Sequence, residues 1–310
     1  MLADGRVLLA GGCAVDGCAA SEVEPSSEFY VPSRGFVPGP PMRHPRSSHT
    51  ATLLPDGRVL MVGGWAKEGT AALTEAEMFD PTTGTFQPAG ILQGLTTLLP
   101  DGRVLIGGRG AGVEFLDPST GSLTSGPAMP QRRHAASLVL PDGDILITGG
   151  LDGPGRGLAS TIIYNPDTGD WRPGPELGTP RFKHAITKLD DGRILVLGGT
   201  SDDTVLLAST EILDLTANKS TPGPVMTVPR YKFPDAVVRT TTGRLVVAGG
   251  TQVDVLAPDG LNFAVIAIGS GAQRWTPTAT ALPDGTVLFV GGYTDRIRVH
   301  RDAHIIRAGP

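Results

Sequence analysis

A glycine pair closes an apolar run seven times along this chain: Gly11-Gly12, Gly63-Gly64, Gly107-Gly108, Gly149-Gly150, Gly198-Gly199, Gly249-Gly250 and Gly291-Gly292. The second glycines run from 12 to 292 in six steps, a mean period of about 47 residues. Self-similarity at one spacing marks a repeat architecture, in which each unit buries its apolar faces against its neighbours. A tight turn precedes every run: Asp4-Gly5, Asp56-Gly57, Asp101-Gly102, Asp142-Gly143, Asp191-Gly192, Thr242-Gly243 and Asp284-Gly285. Asp-Gly between two apolar stretches is a strong hairpin signal, because a type I′ turn needs positive φ at both central residues.

A second hairpin follows each glycine pair. Its first strand ends in motifs such as Phe79-Asp80-Pro81, Leu116-Asp117-Pro118 and Tyr164-Asn165-Pro166. A glycine turn follows, then a short strand carrying Phe86, Leu123 or Trp171 and closing on Gly-Pro. Proline has no N–H to donate and stops sheet pairing there. The expected fold is therefore all-β: a seven-bladed β-propeller of four-stranded antiparallel blades, in one domain over 1–310. The blades fall near 1–41, 42–90, 91–130, 131–178, 179–228, 229–272 and 273–310. Only Met1-Leu2 precede the first three-residue turn region, so blade 1 is expected to lack its innermost strand. Ala303–Arg307, followed by Gly309-Pro310, is expected as the outer strand of a complete blade 7.

The double glycine, the aromatic-Asp-Pro and the aromatic of the fourth strand together resemble kelch repeats, over essentially the whole chain. Blades 3, 5 and 6 depart from the pattern: blade 3 has no Arg/His before its first strand, blade 5 places Ser220 at the aromatic position, and blade 6 has Leu256-Ala257-Pro258. The resemblance implies either an interaction scaffold or an enzyme, since kelch propellers include copper-radical oxidases, sialic-acid mutarotases and iron-dependent specifier proteins. A copper-radical site requires a Tyr-His pair, yet none of Tyr30, Tyr164, Tyr231 and Tyr293 precedes a histidine. The iron-type spacing fails as well, because Pro180 stands between Glu176 and His184. No metal site and no cofactor is expected.

Composition narrows the partners. A net charge of −5 over 310 residues argues against nucleic acid, which calls for a concentrated basic surface. No apolar run approaches the roughly 20 residues of a membrane span. The two cysteines, Cys13 and Cys18, lie in one loop; either they are free thiols or they close that loop in an oxidising, extracytoplasmic setting. A monomer is expected.

The rim that carries the segments after Gly-Gly varies in length, and variable loops on a rigid scaffold are where binding concentrates. An acidic residue stands near the end of most third strands: Glu28, Glu77, Glu114, Glu211 and Asp254, with Ile162 and Arg298 in the same column of blades 4 and 7. From the second glycine to that column is 16 residues in blade 1, 13 in blade 2 and 12 in blades 4 and 5, but 6, 4 and 6 in blades 3, 6 and 7. Walls are therefore expected over Trp65–Thr74, Leu151–Ala159 and Thr200–Ala208, and a low rim over blades 6 and 7. Basic residues lead into the innermost strands. Arg46, Arg133, Arg181, Lys232 and Arg274 are the candidate ligand-binding cations, with His49, His134, His184, Asp235 and Trp275 beside them. Two arrangements fit this pattern. Either the cations converge on a carboxylate or phosphate at the channel mouth, or each pairs inside its own blade with a third-strand acid. The expected function is a binding module for a protein, peptide or small anionic or carbohydrate ligand. The alternative is an isomerase-, lyase- or oxidase-type enzyme with its site at the same mouth.

Overall fold

The computed structural model describes all residues except 14–24, 67–70, 108–111, 154, 267–273, 295–297, 301 and 309–310. Among the described residues the strands form seven antiparallel sheets, the blades of a β-propeller. Compactness divides the chain into one unit of 1–129 with 297–299 and a second of 130–296 with 300–310.

The first unit holds three blades. Blade 1 is Val7–Ala10, Ser27–Val31 and Gly35–Pro38, three strands as the sequence predicts. Blade 2 is Thr50–Leu53, Val59–Val62, Glu75–Asp80 and Thr85–Ile91; blade 3 is Leu95–Leu98, Val104–Gly107, Gly112–Asp117 and Ser122–Ala128. Leu2, Phe29, Met42, Val59, Met61 and Phe79 pack together between blades 1 and 2. A second cluster, with Leu60, Val62, Met78, Val104 and Ile106, joins blades 2 and 3.

The second unit holds four. Blade 4 is Ala136–Val139, Ile145–Thr148, Thr161–Tyr164 and Trp171–Pro173; blade 5 is Ala185–Lys188, Ile194–Leu197, Thr210–Asp214 and Lys219–Pro222. Blade 6 is Val237–Arg239, Leu245–Val247, Val253–Leu256 and Phe263–Ile266. Blade 7 has Thr278–Ala281, Thr286–Val290 and Ala303–Arg307. The second strand Ile194–Leu197 is buried at every position because blades 4 and 6 cover its two faces. Each apolar side chain so buried contributes about 1.5–3 kcal/mol.

Blade 7 corrects the sequence reading. Ala303–Arg307 pairs directly with Thr286–Val290, so it is the third strand and not the outer one. Phe289 lies opposite His304, the place that Glu211 takes opposite Val196 in blade 5. The third-strand column is therefore held by His304, 12 residues after Gly292, and not by Arg298. Blade 7 carries a connection as long as those of blades 4 and 5, not a short one. Pairing is decided by which residues reach the buried second strand, and here Ile306 and His304 lie opposite Val287 and Phe289.

Candidate functional site

The glycine pairs and the arginines before the first strands form one device. In blade 5, the Arg181 guanidinium donates to the Gly198 carbonyl at 2.8 Å, while the Arg181 carbonyl accepts the Gly150 N–H of blade 4 at 2.9 Å. Arg46, Arg230 and Arg274 repeat both bonds with Gly63 and Gly12, Gly249 and Gly199, and Gly291 and Gly250. Each arginine thus ties its own glycine pair to that of the preceding blade. A side chain on Gly199 would meet the Phe182 carbonyl at 2.6 Å, and its φ of +88° disfavours one anyway. The double glycine is a close-packing requirement of the repeat.

The same arginines end in acids. Arg46 pairs with Glu77 at 2.8 Å, Arg181 with Glu211 at 2.7 Å and Arg230 with Asp254 at 2.8 Å; Arg274 pairs with Asp302. The carboxylates also cap backbone: Glu211 accepts the N–H groups of Gly178 and Thr179 and the Ser220 hydroxyl. Burial alone would raise Glu211, but Ser220, Gly178 and Arg181 outweigh it and hold its pKa down. Arg46, Arg181 and Arg274, expected at a shared mouth, therefore turn into their blades and are 0%, 0% and 2% exposed. The structural members of this column in blades 4 and 6 are Arg132 and Arg230, one and two residues before Arg133 and Lys232.

His184 is buried, and His49 half-buried, beneath the glycine pairs. His184 Nε2 lies 2.7 Å from the Thr148 hydroxyl. Burial first, then the neighbouring Arg181, lowers its pKa to about 3; burial and Arg46 lower His49 to about 4. Both imidazoles are neutral at physiological pH. Trp275 is buried too, its ring meeting Tyr231 edge-on at 4.7 Å.

What reaches the surface is the residue two after each arginine. His134, Lys183, Lys232 and Thr276 all take left-handed backbone, with φ of 58°, 54°, 54° and 50°. The chain links them: the Lys183 N–H donates to the His134 carbonyl at 2.9 Å, and the Lys232 N–H to the Lys183 carbonyl at 2.8 Å. This aligns basic side chains along the rim of blades 4 to 6. The Lys232 ammonium donates to the Tyr293 hydroxyl at 3.0 Å and stands 5.4 Å and 5.7 Å from the ring centres of Tyr231 and Tyr293. The Lys183 ammonium stands 5.8 Å from the same Tyr231 ring and pairs with Asp203 at 2.5 Å. Desolvation raises the Tyr231 pKa; Lys232 opposes that and Tyr293 and Asp203 add to it, so all four groups share one field. Among the described residues Lys232 has no carboxylate partner.

The remaining candidates flank this patch. Arg133 is exposed, and its guanidinium donates to the Gly153 carbonyl at 3.5 Å. Asp235 sits on a 3-10 turn, Pro234–Ala236, before the first strand of blade 6. It keeps accessible surface, yet the protein packed around it raises its pKa by desolvation. Sequence reasoning missed Lys183, Asp203, Tyr231 and Tyr293 as a group. The signal was present in the register Arg-x-Lys of Arg181–Lys183 and Arg230–Lys232, whose third residue carries the half-buried rim cation. Asp203 and Tyr293 come from loops of two other connections and left no such signal.

Cys13 is disulfide-bonded, and Cys18 lies outside the described residues.

Comparison with known proteins places these features in context. The family model described as Kelch motif matches residues 132–178, which is blade 4 from Arg132 onward. Among solved structures the chain is similar to a fungal alcohol oxidase of the AA5 family in complex with copper, at 18% identity and a TM-score of 0.61. The match covers 98% of this chain and 60% of the oxidase chain, and at that identity it carries the fold alone. Among the described residues the side chains do not fit a copper centre: Tyr231 and Tyr293 stand beside the Lys232 ammonium, and no cluster of three metal-ligating His, Cys, Asp or Glu forms there.

Proposed function

We propose that this chain, whose blade 4 matches the Kelch motif and whose sheets are the blades of a β-propeller, is a binding module whose ligand presents a carboxylate to the rim of blades 5 to 7. The observation that carries this reading is Lys232: a half-buried ammonium held by a tyrosine hydroxyl and two ring faces, with no acid among the described residues to neutralise it. A cation in partly desolvated surroundings favours an incoming anion strongly. Tyr293 supplies a second polar contact, and the ring of Tyr231 an apolar wall suited to a sugar acid or a peptide terminus. Arg133 and His134 extend the basic edge over blade 4. The disulfide at Cys13 supports an oxidising compartment for this encounter.

The test is calorimetric titration with glucuronate against glucose, on the wild type and on Lys232→Gln. Saturable binding of glucuronate alone, weakened about tenfold or more by Lys232→Gln, is the expected result. Equal binding of glucose, or glucuronate binding that ignores the substitution, would remove the site. Consumption of the sugar acid, followed by NMR, would replace the binding-module reading with an enzymatic one.

A further inference from the structure

We infer that Asp203 is a built-in competitor standing at a second anion position of this rim, so that the ligand is a dianion whose second carboxylate displaces Asp203 from Lys183. The inference rests on the carboxylate reading of Lys232 given above. Lys183 and Lys232 are equivalent by backbone and consecutive along the rim, with their ammonium groups 5.8 Å and 5.4 Å from the centre of the same Tyr231 ring. They differ in one respect. Lys232 has its ammonium on Tyr293, whereas Lys183, with a side chain only 13% exposed, is covered by a carboxylate. An ammonium so nearly buried needs an anion, and in the free protein Asp203 supplies it.

Asp203 is built to leave. It is 54% exposed and projects from the connection 201–205 of blade 5. The turn itself is held by its neighbour: Asp202 accepts the N–H groups of Thr204 and Val205 and the Thr204 hydroxyl. Asp203 contributes none of those bonds, yet sits at a φ of +66°, a conformation that costs a non-glycine residue energy. Release from Lys183 therefore leaves the loop closed. A ligand with one carboxylate engages Lys232 alone. A ligand with two gains the Lys183 position after expelling Asp203.

Asp203→Asn separates these cases, since asparagine matches the shape and tolerates left-handed backbone well. The probes are acetate, malonate, succinate and glutarate at constant ionic strength. Asp203→Asn is expected to raise the preference for the best dicarboxylate over acetate by about threefold to fivefold, the worth of an exposed ion pair. In the wild type, acetate should move the side-chain resonances of Lys232 and leave those of Lys183 in place; the dicarboxylate should move both. An unchanged preference in Asp203→Asn, with Lys232→Gln still abolishing acetate binding, overturns the dianion inference alone. Indifference of every probe to Lys232→Gln overturns the carboxylate reading beneath it.

Discussion

The Arg181 guanidinium meets the Glu211 carboxylate at 2.7 Å with essentially no solvent on the arginine. A pair of this kind has lost the hydration of both partners, so removing one leaves a buried, uncompensated charge. The arginine is therefore a fold residue, although its sequence context reads as a ligand cation.

Replacing Arg181 by Met should lower stability by about 3–5 kcal/mol in urea denaturation, without weakening anion binding by the protein that remains folded. Arg193→Ala, in the exposed pair with Asp191, should stay within ~0.5 kcal/mol of the wild type. If Arg181→Met folds normally and loses only anion binding, the assignment to the fold is wrong.

Acid should destabilise the protein through its histidines before its carboxylates titrate. His184 and His49 have folded pKa values of about 3 and about 4, against 6.5 when exposed. Below pH 6.5 the unfolded chain binds protons that the folded chain refuses, so stability falls with falling pH. The slope approaches about 1.4 kcal/mol per pH unit for each imidazole. Phe233 packs under Gly198 as His184 packs under Gly149, so Phe is a native solution at this place. His184→Phe should flatten the decline between pH 6.5 and 5 by one imidazole's share, measured by denaturation at stepped pH.

Two glycine substitutions should separate backbone strain from close packing. Gly192 has a φ of +86° and open space where a Cβ would go; Gly199 has a similar φ but faces the Phe182 carbonyl. Gly192→Ala is expected to cost about 1–2 kcal/mol. Gly199→Ala should cost a further ~1–3 kcal/mol, because the Phe182 and His184 backbone leading into the same blade must give way. Equal losses in thermal or urea unfolding would mean that the approach of Gly199 to the Phe182 carbonyl is looser than the structure has it.

Cys13 should be unreactive to thiol reagents in denaturant until a reductant is added. Immediate labelling would show a reduced chain and remove the case for an oxidising compartment.

Repeat count and the short blade 1 were legible in the chain because they depend on local rules. Asp-Gly turns set the hairpins, apolar runs set the buried second strands, and glycine pairs mark where backbones meet. The end of blade 7 was not legible: two segments of the connection offered a strand, and only pairing against Thr286–Val290 chose Ala303–Arg307. The site divides in the same way. That cations lead into the first strands is written in the sequence. Which of them face outward is not, since Arg181 and Lys183 stand two residues apart and point to opposite environments. Tertiary structure made that choice: a third-strand acid and a glycine carbonyl wait inside the blade at guanidinium distance, and a left-handed turn directs the next cation to the rim, where loops from other connections bring Asp203 and Tyr293 to meet the lysines.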